Sequence, residues 1–181
     1  MFNGVYTALI TPFSDGKIDF DSLNRLVANQ LDSGVQGLVV CGTTGESATL
    51  SEDEQFQMLD FVCKKVGGKV PILFGSGSHN PAKTISLSQK ACEYPIDGLL
   101  VVVPYYNKPP QEGLLAHFTA VADSVPKPIV LYNVPGRTVA ALSPESIIEL
   151  SKHSNIVGIK EANADLNNFS MYKSQVADGF S

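Results

Sequence analysis

No stretch of this sequence concentrates lysine and arginine, and that absence removes a whole class of partners. With 13 basic against 18 acidic residues the formal charge is −5, and nothing along the chain forms the basic stripe that tracks a phosphate backbone. Nucleic acid is therefore not the expected partner, and a small soluble ligand is. Long apolar runs are missing too. The longest, Leu99 to Val103 before Pro104, falls far short of the ~20 residues that cross a bilayer as a helix, and the N-terminus lacks a charged stretch leading into an apolar one. A cytoplasmic protein with no membrane partner is the expectation. Cysteine is scarce: Cys41, Cys63 and Cys92 are an odd number at wide spacing, which argues against a disulfide framework and against a zinc site, and predicts reduced thiols. His79, His117 and His153 lie far apart, and none forms a local metal motif with Cys or Asp. Solvent-facing or helical histidines, with no metal, are the plain reading.

What the chain does have is enough apolar material for a core. Its 181 residues are 44% hydrophobic and 17% charged, with 15 Gly and 11 Pro; one globular domain fits this composition, and disorder or a collagen-type repeat does not. Short β-branched runs recur at Tyr6 to Ile10, Gly37 to Cys41, Pro71 to Phe74, Leu99 to Val103, Ile129 to Tyr132 and Ile156 to Lys160. The repeat is about thirty residues, the length of one βα unit, and near-continuous apolar strands indicate a parallel sheet covered on both faces. The helices between them carry their own start signals. Asp19 precedes Leu23, Leu26, Val27 and Leu31, with Gly34 placed to close. Ser51 and Glu54 make a capping box ahead of Phe56, Leu59, Val62 and Val66. Asn80-Pro81 and Ser143-Pro144 set a capping side chain before a proline at the first helical position. Gln111 to Val125 supplies a further helix, and Asp165 starts one through Leu166, Phe169, Tyr172 and Val176.

Two α/β architectures accommodate six successive βα units: a doubly wound sheet and a TIM (β/α)₈ barrel. A doubly wound dinucleotide fold wants a glycine fingerprint on an early strand. Gly75-Ser76-Gly77-Ser78-His79-Asn80 approaches one, but it ends in Asn and follows the third strand. The barrel requires polar residues at the carboxyl ends of several strands, converging on one mouth, and that pattern is present. The expected fold is the barrel, truncated to about six units over residues 1–181.

Lys160 closes an otherwise apolar strand, Asn155-Ile156-Val157-Gly158-Ile159-Lys160-Glu161. It reads equally well as a lysine whose tip has reached solvent beside Glu161 and as a nucleophile for a carbonyl, which requires an amine relieved of its proton by its surroundings. The loop Gly42-Thr43-Thr44-Gly45-Glu46-Ser47 offers two glycines, three hydroxyls and backbone N–H groups suited to a carboxylate or an oxyanion, against the plain alternative of a hydroxyl-rich turn. Tyr105 and Tyr106 follow the fourth strand and Tyr132 ends the fifth, where a packed aromatic is the ordinary explanation. Arg137 is more telling. The chain has two arginines; Arg25 falls within the first helix, whereas Arg137 lies in a loop at the expected mouth, where a guanidinium holds a carboxylate with two hydrogen bonds.

Gly42-Thr43-Thr44-Gly45-Glu46, Pro104-Tyr105-Tyr106-Asn107, Tyr132 to Thr138 and Gly158-Ile159-Lys160-Glu161 together resemble the ordered signatures of the dihydrodipicolinate synthase family, over the whole of this chain. The Thr-Thr-Gly-Glu loop alone would mark only the wider superfamily of pyruvate lyases that includes N-acetylneuraminate lyase; Arg137 and the paired tyrosines favour the synthases. The resemblance implies that Lys160 forms an imine with pyruvate and that the enamine attacks L-aspartate 4-semialdehyde, giving 4-hydroxy-tetrahydrodipicolinate on the route to lysine and diaminopimelate. It implies Tyr132 as general acid and base, joined through Thr43 to Tyr106 of a neighbouring subunit, with Thr44 holding the pyruvate carboxylate and Arg137 the aldehyde's carboxylate. No metal or organic cofactor is implied, and a homodimer or homotetramer is.

The same resemblance points to an allosteric lysine pocket. Ser47, Ala48 and Tyr105 match it, whereas a histidine pair, an asparagine and a glutamate of the lysine-sensitive members read here Glu52, Gln55, His79 and Lys83. Lys83 in place of a carboxylate repels the ligand's ammonium, so weak or absent inhibition is expected. A closed barrel needs eight strands and usually about 250 residues; residues 1–181 carry six, so the chain reads as an incomplete barrel with open edges on its first and sixth strands, inactive by itself. The alternatives are a pyruvate-dependent aldolase acting on a sugar acid and a non-catalytic binder of small acids.

Overall fold

The computed structural model describes residues 2–181. They form two compact units, one of Phe2–Gly75 with Glu93–Gly98 and one of Ser76–Cys92 with Leu99–Ser181.

The first unit begins with β1 (Tyr6–Ala8), followed by a hairpin of β2 (Phe13–Ser14) and β3 (Lys17–Ile18). Its turn, Asp15-Gly16, has φ of 50° and 74°, the two left-handed residues of a tight hairpin turn. This hairpin is absent from the sequence reading, and the strand expected to run to Ile10 stops at Ala8, with Ile10 51% exposed. Then come α1 (Phe20–Asp32), β4 (Gly37–Val40), α2 (Glu52–Val66) and β5 (Ile72–Gly75). β4 pairs in parallel with β1 on one side and β5 on the other, and all four of its residues are buried, as an apolar central strand requires. Gly37 is glycine for a steric reason: the Tyr6 ring fills the space a Cβ would take. Asp19 caps α1 by accepting from the Ser22 N–H at 2.9 Å. Ser51 and Glu54 form the reciprocal capping box on α2, worth about 1 kcal/mol to the helix.

The second unit contains α3 (Pro81–Ala91), β6 (Gly98–Val102), α4 (Gln111–Asp123), β7 (Ile129–Asn133), the short α5 (Pro135–Thr138), α6 (Pro144–Ser151), β8 (Ile156–Glu161) and α7 (Leu166–Lys173). Asn80, Ser143 and Asp165 cap α3, α6 and α7 through their side chains. The expected apolar stripe of α7 is mostly not buried. Leu166 is 74% and Phe169 41% exposed, and Tyr172 alone is enclosed, because the helix is short and only one of its faces meets α6. β6, β7 and β8 are parallel neighbours in chain order, which brings the described parallel strands to six. The β7–β8 ladder contains a bulge: Ile129 faces Ile156, but Val130 faces Gly158. β8 ends the sheet, and its outer edge is met at one point by Ser181. Ile159 N–H donates to the Ser181 carbonyl at 2.8 Å and Ser181 N–H to that of Val157 at 3.1 Å, the pattern of a parallel neighbour, and a Cβ on Gly158 would collide with the Ser181 carbonyl.

Candidate active site

The bulge in β8 sets Tyr132 directly opposite Lys160, and Asn133 opposite Glu161. Successive side chains of a strand point to opposite faces, so Lys160 and Tyr132 share one face while Glu161 and Asn133 share the other. On the first face the Lys160 Nζ lies 4.3 Å from the centre of the Tyr132 ring, within cation–π range; Tyr132 is buried and Lys160 exposed. On the second, Asn133 Nδ2 donates to both Glu161 carboxylate oxygens at 3.1 and 3.0 Å. Glu161 also accepts from the Asn163 N–H at 2.9 Å. The carboxylate next in sequence to Lys160 is thus committed elsewhere, and no ion pair joins the two among the described residues. This removes the reading of Lys160 as half of a strand-end salt bridge with Glu161.

Arg137 is exposed within α5, one short turn beyond β7. That segment is tied down at several points. Thr138 Oγ1 donates to the Val134 and Ala140 carbonyls at 3.0 and 2.7 Å, and Asn133 Oδ1 accepts from the Leu142 N–H at 3.1 Å. Beyond β6, Tyr105 is half-buried with its ring edge-on to His79 at 5.1 Å. Tyr106 stands 86% exposed at φ 74°, so a bulky side chain is held away from its own unit by a backbone conformation that non-glycine residues rarely adopt. Lys83 is exposed in the first turn of α3.

In the other unit, Thr43–Gly45 form a single 3₁₀ turn after β4. As its first two residues, Thr43 and Thr44 have no partner for their N–H groups inside the turn, and both are exposed. The turn is anchored by Thr11, 3% exposed, whose Oγ1 donates to the Gly45 carbonyl at 2.6 Å. Gly45 is closely approached by the Leu9 carbonyl, and Glu46 leaves the turn in the left-handed region at φ 55°. Ser47 and Ala48 follow in a second 3₁₀ turn, and the Gln55 side chain donates to the Ser47 carbonyl at 3.0 Å.

Thr11, Asn133 and Glu161 are the residues that the sequence reading passes over. Each is polar, with Asn133 and Glu161 the last residues of β7 and β8 and Thr11 three residues past β1, which is a visible signal, but their partners are set by tertiary register. Gly75-Ser76-Gly77 is not an anion cradle. Ser76 N–H is bonded to the Leu100 carbonyl and Ser78 N–H to Thr84 Oγ1, while Gly75 and Gly77 are approached by the backbones of Cys41 and Val102. Cys41 and Cys63 are buried free thiols, pushed up by burial to about 12 and about 11, far from the range of a reactive thiolate. Among the described residues no cluster of His, Cys, Asp and Glu is set to hold a metal ion, and no helix is long and apolar enough to cross a membrane.

Parallel βα units whose polar side chains gather at strand ends define an α/β barrel of the (β/α)₈ class, seen here over six units. The crystal structure of a dihydrodipicolinate synthase from Bacillus anthracis superposes with a TM-score of 0.97 at 42% identity, covering 100% of this chain and 62% of that one. The chain belongs to the dihydrodipicolinate synthetase family, whose model matches residues 1–181. A 4-hydroxy-tetrahydrodipicolinate synthase of Kosmotoga olearia is 50% identical over 165 residues, 91% of this chain and 56% of that protein. A synthase from Cyanidioschyzon merolae, solved with lysine bound, matches at TM-score 0.95 and 39% identity over 99% of this chain and 62% of that one. The chain thus spans less than two thirds of the length of these relatives.

Proposed function

We propose that the protein carrying this chain condenses pyruvate with L-aspartate 4-semialdehyde through a Schiff base on Lys160. The observation that carries this reading is the Lys160 ammonium over the Tyr132 ring at paired strand ends, in a chain of the synthase family. In its unprotonated form the amine attacks the C2 carbonyl of pyruvate, and loss of water leaves the imine. The protonated imine draws electrons from C3, a C3 proton departs, and the enamine forms a C–C bond to the aldehyde carbon, whose oxygen takes up a proton. The adduct's own amino group then attacks the imine carbon and expels Lys160, closing the ring. In this reading Tyr132 carries these protons, supported by its position across the ladder from Lys160. The N–H groups of Thr43 and Thr44, without a partner inside their own turn, suit the pyruvate carboxylate, and the exposed Arg137 suits the carboxylate of the second substrate.

Tyr106, held outward, is offered to a second copy of the chain in a dimer or tetramer. Residues 1–181 as an isolated polypeptide are proposed to lack turnover, because six strands do not close a barrel of eight. The test of that point is the intact mass, 19.4 kDa for this chain, measured on the same material as the rate; condensation by the isolated polypeptide at a rate comparable to full-length relatives refutes it. The test of the chemistry is borohydride reduction of the protein at its natural length in the presence of pyruvate, followed by peptide mapping. The adduct is expected on Lys160, and an adduct on another lysine, or none, overturns the assignment.

A further inference from the structure

Behind the Lys160–Tyr132 pair lies a side-chain arrangement that the chemistry above does not use. Asn133 is 1% exposed, and its amide is fully committed: Nδ2 to both oxygens of Glu161, Oδ1 to the Leu142 N–H. Its backbone carbonyl accepts from the Ala162 N–H at 2.8 Å. One side chain therefore closes three things at once. It joins the last residues of β7 and β8, one step beyond Tyr132 and Lys160. It closes the segment from Val134 to Ala141, which carries Arg137, by standing before its first residue and bonding the N–H of Leu142 just after its last. Through Glu161 and the Asn163 N–H it also fixes the chain as it leaves β8. Glu161 accepts three hydrogen bonds here and makes none to Lys160.

We propose that Asn133 and Glu161 are positioning residues, an amide–carboxylate brace that holds the Lys160 amine, the Tyr132 hydroxyl and the Arg137 segment in one geometry. The proposal rests on the Schiff-base reading of Lys160. A misplacement of about 1 Å, even from a residue that touches no substrate, is enough to lower a rate on the order of a hundredfold, and hydrogen bonds to a charged group are the strong ones. The brace also has a polarity that can be exchanged. In Asn133→Asp two carboxylates face each other and the donor is gone. Adding Glu161→Gln restores it in reverse: the new amide donates to the Asp carboxylate, which still accepts from the Leu142 N–H, while the Gln oxygen still accepts from the Asn163 N–H.

The experiment is the rate of pyruvate and borohydride labelling at Lys160, measured against pyruvate concentration in the protein at its natural length, for the parent, Asn133→Asp, Glu161→Gln and the double variant. Asn133→Asp is expected to lower the maximal labelling rate roughly tenfold or more with little change in the half-saturating pyruvate concentration, because the carboxylate site on Thr43 and Thr44 is untouched. Glu161→Gln, which keeps an acceptor for Asn163 and Asn133, falls less. The double variant returns to within about threefold of the parent, a residual shortfall smaller than the loss of one charged hydrogen bond would leave. Should Asn133→Asp fail to fold, recovery of both the far-UV circular dichroism and the labelling rate in the double variant carries the same conclusion. Asn133→Asp at the parent rate, or a folded double variant no better than Asn133→Asp, overturns the brace alone. A parent protein that pyruvate does not label at Lys160 overturns the Schiff-base reading, and the brace's role in it falls too.

Discussion

Acid should destabilise this fold through His117, and the structure sets both the window and the size of the effect. His117 is 7% exposed on α4, its ring edge-on to Phe118 at 5.2 Å, and its Nε2 has no hydrogen-bond partner among the described residues. It borders a cavity of about 350 Å³ walled mostly by Pro81, Pro104, Pro109, Gly113, Ala116 and Ala120, with His79 and Asn107 its other polar lining. Burial pushes the imidazole down from 6.5 to about 4. The unfolded chain therefore binds the proton more readily than the folded one, so stability is full above pH ~6.5 and falls as the pH drops toward ~4. Each pH unit inside that window removes about 1.4 kcal/mol, or roughly 2 kcal/mol by pH 5. Urea unfolding at a series of pH values, run on the parent and on His117→Leu, isolates the effect, since every other titrating group is common to both. The parent is expected to lose about 2 kcal/mol more than the variant between pH 7.5 and pH 5. Parallel stability curves, or a His117 ring resonance that titrates in the folded protein near 6.5, would refute the reasoning.

Arg137→Ala should leave imine formation with pyruvate close to the parent rate and lower use of the aldehyde roughly tenfold to a hundredfold; separate borohydride and condensation assays check this, and equal losses in both count against the assigned role. Gly77→Ala should destabilise by about 1–3 kcal/mol, because its Cβ would overlap the backbone nitrogen of Val102, which cannot rotate aside as a side chain can; an unchanged urea midpoint contradicts that packing. Free lysine at about millimolar concentration should barely inhibit the protein at its natural length, since Lys83 presents an ammonium in the first turn of α3; strong inhibition in a steady-state assay would mean that the ligand's own ammonium is met elsewhere.

How much of this was legible from residues alone depended on how far apart the interacting groups lie in the chain. The helix starts were readable because a cap and the N–H groups it satisfies sit within three residues of each other, as at Asp19, Ser51 and Asn80. The Asp15-Gly16 hairpin is equally local but leaves no pattern in the sequence because its strands are two residues long, too short for any alternation to show. The stripe of α7 misled for the opposite reason: helical spacing says which residues share a face but not whether another element covers it, and Leu166 remains in the open. Thr11 reaches Gly45 across 34 residues, and nothing near either position announces the other.

The pairing of Lys160 with Tyr132 depends on the least legible feature of all. Had β7 and β8 kept the register set by Ile129 and Ile156, Tyr132 would face Ile159, and Lys160 would face Asn133. The bulge between Ile129 and Val130 advances β8 by one residue. Because side chains alternate with a period of two, that single step changes which residue of β8 stands against Tyr132 and which against Asn133. It pairs amine with phenol on one face and carboxylate with amide on the other. The sequence marks the place only by Gly158, a glycine inside a strand, which is a common sign of a bulge or of close backbone approach and here accompanies both. A lysine ending an apolar strand could be seen from the sequence to be unusual. What makes it a candidate nucleophile with a tyrosine beside it is one skipped residue, Val157, three positions before it.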